Sequence, residues 1–172
     1  ERFLHLAIAA TAALAQMHRH GLLHRDIRPD NLILGDDGRV RLTGFAFAMP
    51  SDGSADGIPP LPDGSLAYLP PEQTPSPRGD LYALGVSFFE LLSGRLPFSA
   101  SDPVRWLHQH VAVPAPSVTE HRPGLPPALD DLLAWLMAKQ PGQRPDSAQQ
   151  LEAELRRCLD EWRESGGIRR AV

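Results

Sequence analysis

A cluster of charged and amide side chains near the start of the chain could carry out chemistry. Residues 24–31 read H-R-D-I-R-P-D-N, which places the carboxylate of Asp26 among two arginines and Asn31. This combination suits phosphoryl transfer, which depends mainly on positioning and charge neutralisation. Thirteen residues after Asn31 the sequence reads G-F-A at residues 44–46, a segment without charged or polar side chains. The first segment therefore offers groups for this chemistry, whereas the second offers none.

Short regular elements must hold these residues in place. A helix is predicted at residues 3–20, which are good helix formers ended by Gly21. Apolar runs at residues 32–34 and 40–42 flank an Asp-Gly turn and predict a β-hairpin. Further helices are predicted at residues 79–92, 101–110, 129–138 and 146–164. Irregular segments are predicted where proline and glycine are frequent, at residues 49–64 and 114–127.

The composition excludes several classes of protein. The 172 residues suffice for one domain with a sizeable core. A net charge of −4 argues against a nucleic-acid surface, which needs clustered Lys and Arg. The apolar run at residues 6–15 is too short for a transmembrane segment, which takes roughly 20 residues. Cys158 is the only cysteine, so no internal disulfide can form and a reducing, cytoplasmic location is predicted.

Histidines close to the reactive cluster raise the question of a metal site. His18 and His20 are two residues apart on the predicted helix, so their side chains face different directions. We therefore predict a solvent-exposed pair here rather than a pair of metal ligands.

Five segments together resemble a known family. Residues 24–31 are similar to the catalytic loop of eukaryotic-type Ser/Thr protein kinases, whose pattern is H-R-D-x-K-P-x-N. Four later segments match other kinase motifs in the right order: G-S-L-A-Y-L-P-P-E at 64–72, D-L-Y-A-L-G-V at 80–86, L-S-G-R-L-P-F at 92–98 and Q-R-P-D-S-A at 143–148. Because the matches are ordered and cover nearly the whole chain, the resemblance is specific.

The resemblance implies a mainly α fold, the large C-terminal lobe of a bacterial kinase domain with a short β-hairpin. This lobe would span residues 1–164, with the catalytic loop at 24–31, the activation segment at 44–72 and a helical subdomain at 79–164. Residues 165–172 would start a linker. The chain holds no G-x-G-x-x-G phosphate loop, so the small lobe is expected to be missing from it. Because the chain starts at Glu1 and not at Met, it is predicted to be cut from a longer protein, so the lobe is either truly absent or encoded upstream.

A narrower resemblance concerns the surroundings of the domain. The segments P-E-Q-T at 71–74, W-L-H-Q-H at 106–110 and E-W-R at 161–163 are similar to the kinase region of large bacterial hybrids. Those proteins join a kinase domain to an ATPase module and a sensor histidine kinase. The partners implied are a protein substrate or such attached signalling domains.

The family assigns catalytic roles to residues of the first segment. Asp26 would accept the proton, or orient the hydroxyl, of the attacking Ser or Thr. Asn31 would hold Mg²⁺ and, with Ile33, contribute to an ATP site. Arg28 stands where the family has a lysine that neutralises the transferring phosphate, and an Arg changes that geometry.

The activation segment carries further expected contacts. Ser65 would form a hydrogen bond near Asp26 and, with Tyr68, shape the substrate-binding surface. Glu72 and Arg144 would form a partly buried ion pair that holds this segment to the helices.

Four other residues have expected structural roles. Asp80 would accept backbone N–H groups of the catalytic loop. His24 and Phe45 would stack in the core that runs between the lobes. Arg25 would either bind a phosphate on the activation segment or pair with a carboxylate.

The departures from the family pattern concern the metal and the nucleotide. Gly44 replaces the metal-binding Asp, and the only lysine, Lys139, lies among the late helices. Asp36 and Asp37 are predicted in the hairpin turn and Asp52 in a loop, so none is a convincing substitute. Loss of a metal-fixing carboxylate is expected to reduce the rate on the order of a thousandfold or more.

Two hypotheses about function follow. In the first, the chain is a degenerate kinase that acts as a regulatory or binding module. In the second, it is part of an active ATP-dependent Ser/Thr kinase that a small lobe completes. Gly44 favours the first hypothesis, whereas the joint presence of Asp26 and Asn31 favours the second.

Overall fold

The computed structural model describes residues 1–54 and 64–164. In these ranges helices dominate and the strands are short. The helices are α1 (Arg2–Arg19), α2 (Pro77–Ser93), α3 (Pro103–Ala112), α4 (Val118–His121), α5 (Pro127–Leu136) and α6 (Ala148–Glu164). The strands are β1 (Leu22–Leu23), β2 (Leu32–Leu34), β3 (Val40–Leu42) and β4 (Met49–Pro50). The prediction of a mainly α fold with a short hairpin is confirmed, and the predicted linker lies outside the described residues.

Helix α2 is the centre of the fold. Its first turn is capped by Ser76, whose hydroxyl accepts the Gly79 N–H at 2.9 Å. Twelve of its residues are buried, so the helix is apolar on nearly all sides, as expected for a core helix. Gly85 allows α5 to approach closely, because a Cβ at this position would lie 2.6 Å from the Cβ of Leu136.

Helices α1 and α6 cover the outside of this core. Helix α1 buries a stripe that includes Leu4, Ile8 and Leu14, and α6 buries Leu151 and Leu155. Each leucine buried in this way contributes about 1.5–3 kcal/mol of transfer free energy. The chain leaves α1 just before the catalytic loop, so this packing fixes where the loop begins.

Two small antiparallel pairs flank the catalytic loop. Strands β2 and β3 form the predicted hairpin, with Leu32 opposite Leu42. Strands β1 and β4 pair Leu22 with Pro50 and Leu23 with Met49. The second pair was not predicted, because each strand has only two residues and β4 lies in the Pro- and Gly-rich segment.

The late part of the chain departs from the prediction at two places. The segment 114–127, predicted to be irregular, contains α4, whose first turn is held by Asp130; this carboxylate accepts the Val118 N–H at 2.6 Å. Helix α6 begins at Ala148, later than expected. Cys158 is buried on α6, consistent with a packing role. Across the described ranges, no helix combines the length and apolarity that a bilayer crossing requires.

Candidate functional site

The carboxylate of Asp26 is held by two neighbours at the centre of the site. The Ser65 hydroxyl donates to Oδ1 at 2.6 Å. The Asn31 Nδ2 group donates to Oδ2 at 2.8 Å and to the Asp26 carbonyl at 2.7 Å. The catalytic loop and the Ser65–Tyr68 turn therefore meet at Asp26, as the family pattern leads one to expect. The catalytic role of Asp26 itself stays a prediction.

Asp80 fixes the start of the catalytic loop from the first turn of α2. Its carboxylate accepts the backbone N–H groups of His24 at 2.9 Å and Arg25 at 2.8 Å. His18 Nε2 also donates to Asp80, at 2.9 Å, and the His18 side chain is only 8% exposed. The prediction of a solvent-exposed His18–His20 pair is therefore wrong for His18. Burial against α2 gives His18 a partner that spacing along α1 cannot reveal.

Both ring nitrogens of His24 take part in hydrogen bonds, and the two bonds together require a single tautomer. Its Nε2 donates to the Thr43 carbonyl at 2.7 Å, and its Nδ1 accepts the Asp26 N–H at 3.2 Å. Phe45 contacts this ring with centroids 5.3 Å apart, but the two ring planes are tilted by 55°, so the contact is not the expected parallel stack. Phe45 is 53% exposed, so it is not buried in a core as the family pattern leads one to expect. Ile33, expected at an ATP site, is 47% exposed on β2.

Arg25 adopts an unusual backbone conformation, with φ at 68°. Its Nη1 donates to the Phe47 carbonyl at 3.3 Å. Burial lowers the pKa of the guanidinium, and the nearby Asp80 partly opposes this effect. The phosphate-binding and the carboxylate-pairing alternatives for Arg25 both stay predictions.

Arg28 is engaged by groups other than Asp26. Its Nη2 pairs with Asp30 at 2.6 Å, and its guanidinium lies 5.6 Å from the centre of the Tyr68 ring. The Tyr68 hydroxyl in turn donates to Glu90 at 2.5 Å. Burial, and secondarily this bond to Glu90, raise the pKa of Tyr68 well above its ordinary value. Arg28 thus links the catalytic loop to the Ser65–Tyr68 turn.

The space around Gly44 is filled by Asn31. Gly44 has φ +77°, and a Cβ built on it would lie 2.5 Å from Cγ, Nδ2 and Oδ1 of Asn31. Real Cβ atoms do not approach so closely, so a side chain at position 44 would require Asn31 to move. That movement would disturb the hydrogen bonds that Asn31 donates to Asp26, while Ser65 would still donate to Oδ1 of the carboxylate.

The residues around Asn31 offer few protein ligands for the Mg²⁺ that the kinase family implies. Residues 1–54 and 64–164 contain no group of three or more His, Cys, Asp or Glu side chains placed to hold a metal ion. The nearby carboxylates are occupied elsewhere: Asp37 pairs with Arg41 at 2.6 Å in the hairpin, and Asp52 accepts the Ser54 N–H at 2.9 Å. Asn31 alone remains of the two expected metal ligands.

The expected ion pair between Glu72 and Arg144 is present. Arg144 donates to both carboxylate oxygens of Glu72, at 2.8 and 2.7 Å, and its side chain is completely buried. The guanidinium also donates to the Ala138 carbonyl at 2.8 Å and lies 4.9 Å from the Tyr82 ring centre. The activation segment is thereby attached to the start of the final helical region.

Sequence reasoning missed His110 on α3. Its side chain is buried, its Nε2 donates to the Leu66 carbonyl at 3.0 Å, and its Nδ1 accepts from the Tyr82 hydroxyl at 2.8 Å. Burial is the main cause that lowers the pKa of His110 to about 4. The only sequence signal was its position one helical turn after Trp106, on which it stacks.

Comparisons with known proteins address the family of the chain. The protein kinase domain family matches residues 3–155. Serine/threonine-protein kinase PrkC of Bacillus subtilis is 31% identical over 153 residues, which is 87% of this chain and 24% of PrkC. Serine/threonine-protein kinase PknL of Mycobacterium tuberculosis is 34% identical over 152 residues, 86% of this chain and 38% of PknL.

A third relative is similar over more of the chain. The probable serine/threonine-protein kinase SCO3848 of Streptomyces coelicolor is 36% identical over 168 residues, 93% of this chain and 25% of that protein. The chain thus spans well under half the length of each of these relatives. The resemblance to bacterial Ser/Thr kinases is confirmed, whereas the hybrid architecture stays a prediction. By the family match over most of its length, the chain belongs to the protein kinase domain family.

Proposed function

We propose that this chain is the large lobe of a kinase-fold domain with impaired phosphoryl transfer, which acts as a regulatory or binding module in bacterial signalling. One observation carries the proposal: the Asn31 carboxamide occupies the space that a side chain at position 44 would need. Without a carboxylate there, Asn31 is the one residue of the family's metal-binding pair that would hold the ion, which would supply charge neutralisation during phosphoryl transfer. We therefore expect weak binding of ATP and Mg²⁺.

The contacts that maintain the fold support the same conclusion. The Glu72–Arg144 pair and the three bonds to Asp80 stabilise the architecture and need no nucleotide. Arg28, at the position of the family's phosphate-neutralising lysine, pairs with Asp30 and stacks on Tyr68. The chain thus retains the residues that stabilise the fold. Of the groups that would neutralise a phosphate or bind its metal ion, Arg28 pairs with Asp30, and position 44 has no carboxylate.

The location and the partners of the module are also part of the proposal. We place the module in the cytoplasm, because its single cysteine suits a reducing compartment. Signals would pass to attached domains, an ATPase or a histidine kinase, or to a protein bound at the surface formed by the Ser65–Tyr68 turn.

An active Ser/Thr kinase is the second candidate. It is favoured by the geometry at Asp26, whose carboxylate is oriented by Ser65 and Asn31 as a proton acceptor for a substrate hydroxyl requires. In that case a small lobe would complete the nucleotide site, and the metal would be held without a carboxylate at position 44.

Transfer of labelled phosphate from ATP distinguishes the two candidates. The protein at its natural length is compared with Asp26→Ala in Mg²⁺ and in Mn²⁺, using a generic basic protein and the protein itself as acceptors. The degenerate module predicts equal, background incorporation for both. Incorporation by the natural protein that Asp26→Ala abolishes would establish the active kinase instead.

A further inference from the structure

Lys139, the only lysine of the chain, lies where three segments meet. Its Nζ donates to the carbonyl of Gln109 on α3 at 3.5 Å and lies 4.6 Å from the centre of the Phe98 ring, in the loop after α2. The backbone carbonyl of Lys139 accepts a hydrogen bond from Arg144 at 3.3 Å. The residue is partly buried. Its amine is therefore held in a partly apolar place that solvent can still reach.

Burial and charge around Lys139 favour its neutral form. In the described ranges, no carboxylate lies within ion-pair distance of its Nζ. The nearby Arg144 guanidinium has the same sign as an ammonium group, although Glu72 offsets part of its charge. Burial, and secondarily Arg144, lower the pKa of Lys139 to about 8. The Phe98 ring favours the cation and so opposes part of this effect.

The neutral amine is the form of a lysine that reacts as a nucleophile. Protonation removes the lone pair that attacks a carbonyl carbon. With a pKa of about 8, about a tenth of Lys139 is neutral at pH 7. A lysine with the ordinary pKa of 10.5 is neutral only to about 0.03% at that pH. Lys139 therefore combines access to solvent with a nucleophilic fraction that ordinary lysines lack.

The surroundings of Lys139 suit an uncharged product. An amide formed on Nζ keeps one N–H for the Gln109 carbonyl and has no charge that opposes Arg144. A carbamate, formed with carbon dioxide, would instead place an anion beside the Gln109 carbonyl oxygen and the face of the Phe98 ring. Both of these groups repel negative charge. The geometry thus favours acylation over carbamate formation.

We propose that Lys139 is a modification site that takes a small acyl group, such as acetyl, from an acyl phosphate or an acyl thioester. The neutral amine attacks the acyl carbon, and a C–N bond forms. The bond from that carbon to the phosphate oxygen or to the thioester sulfur breaks, and the leaving group takes the electron pair. The proton of the amine is released to water. The reaction needs neither ATP nor Asp26.

Acylation of Lys139 acts on the attachment of the activation segment. It removes a positive charge beside Arg144, which binds Glu72 of that segment. The same charge helps burial to lower the pKa of His110, which donates to the Leu66 carbonyl. One modification therefore changes the electrostatic field at two buried contacts that hold the activation segment to the helices.

The rate of acetylation tests this assignment. The protein at its natural length, carrying Arg156→Lys, contains an internal reference, because Arg156 is 60% exposed on α6. The folded protein reacts with acetyl phosphate or with S-acetyl-N-acetylcysteamine, a thioester. It is then unfolded, and its remaining amines are labelled with deuterated acetic anhydride. Mass spectrometry gives the fraction of each lysine that reacted in the folded state.

We expect Lys139 to react at least about tenfold faster than the lysine introduced by Arg156→Lys at pH 7. Its rate should level off above about pH 8, whereas the reference rate should still rise at about pH 9. In concentrated urea the two lysines should react equally, because the advantage comes from the fold. The donor that gives the larger ratio of rates identifies the source of the acyl group. Equal rates in the folded protein with both donors would overturn the proposal.

Two further variants test the effect on the activation segment. Lys139→Gln, which removes the charge as acetylation does, should change the amide chemical shifts of Leu66 and Glu72. Lys139→Arg, which keeps the charge, should leave them unchanged. Identical shifts at Leu66 and Glu72 in the natural protein and in Lys139→Gln would overturn the proposed effect. Because no nucleotide is present in either experiment, failure here and failure of the proposed function are distinguishable.

Discussion

At the scale of single residues, the close packing of Asn31 over Gly44 bears most directly on metal binding and phosphoryl transfer. The amide of Asn31 lies where a metal-binding side chain at position 44 would begin, and its two donors hold Asp26. Replacing Gly44 by Asp would therefore not simply restore a metal ligand. It would shift the Asn31 side chain and disturb the hydrogen bonds that Asn31 donates to Asp26, leaving Ser65 as the side chain that holds this carboxylate.

Gly44→Ala is expected to destabilise the chain more than Gly38→Ala. The two glycines have φ values of +77° and +72°, so both substitutions carry a backbone cost of about 1–2 kcal/mol. Only the Cβ at position 44 meets another side chain, which should add about 1–3 kcal/mol. Urea unfolding of the two variants gives the comparison.

Asn31→Ala provides the control through a double-mutant cycle. Once the Asn31 side chain is removed, Gly44→Ala should cost no more than Gly38→Ala. Equal costs of the two glycine substitutions in the natural chain would contradict the close packing of Asn31 over Gly44.

At the scale of elements, buried polar contacts connect the activation segment to the helices. Arg144 links Glu72 to the segment before α6, and His110 links α3 to the Leu66 carbonyl and to Tyr82 on α2. Each contact joins parts that are distant in sequence. The position of the Ser65–Tyr68 turn is therefore set by tertiary contacts rather than by its own local propensity.

Glu72→Ala should be far more damaging than Glu152→Ala. Removal of Glu72 leaves the completely buried Arg144 side chain without its counter-ion, which should cost about 3–5 kcal/mol. Glu152 pairs with Arg156, whose side chain is 60% exposed, and its loss should cost about 0–1 kcal/mol. Thermal or urea unfolding measures both. Similar losses in the two variants would show that the buried pair contributes little.

His110 should make the stability depend on pH. Burial lowers its pKa from 6.5 to about 4, so the unfolded state binds a proton more readily than the folded state. The contribution of neutral, buried His110 to the free energy of unfolding is therefore complete above pH 6.5 and decreases as the pH falls towards 4. The loss over this range should be on the order of 3 kcal/mol.

The free energy of unfolding is measured between pH 4 and pH 7 for the natural chain and for His110→Gln. Glutamine keeps a donor and an acceptor but cannot titrate, so the variant should show a smaller loss as the pH falls. Parallel pH profiles for the two proteins would show that His110 does not titrate in this range.

At the scale of the whole molecule, the sequence motifs were sufficient to predict the family and the mainly helical fold. The Asp-Gly hairpin is a local pattern and was predicted correctly, whereas the assignment of residues 24–31 as a catalytic loop stays a prediction. The β1–β4 pair and the partner of His18 were missed, because they depend on contacts between segments far apart in the chain. The crowding at Gly44 was missed for the same reason: sequence shows an absent carboxylate but not what fills its place.

The central claim is that this chain does not hold the metal ion needed for phosphoryl transfer. Measurement of metal binding at Asn31 tests that claim most directly. The protein at its natural length is titrated with Mn²⁺ and a non-hydrolysable ATP analogue, while paramagnetic broadening is followed at the amides of Asp26, Asn31 and Gly44. We expect no selective broadening at these amides, since position 44 has no carboxylate and the Asn31 side chain fills the space beside it. Selective broadening at micromolar Mn²⁺, abolished by Asn31→Ala, would contradict this claim.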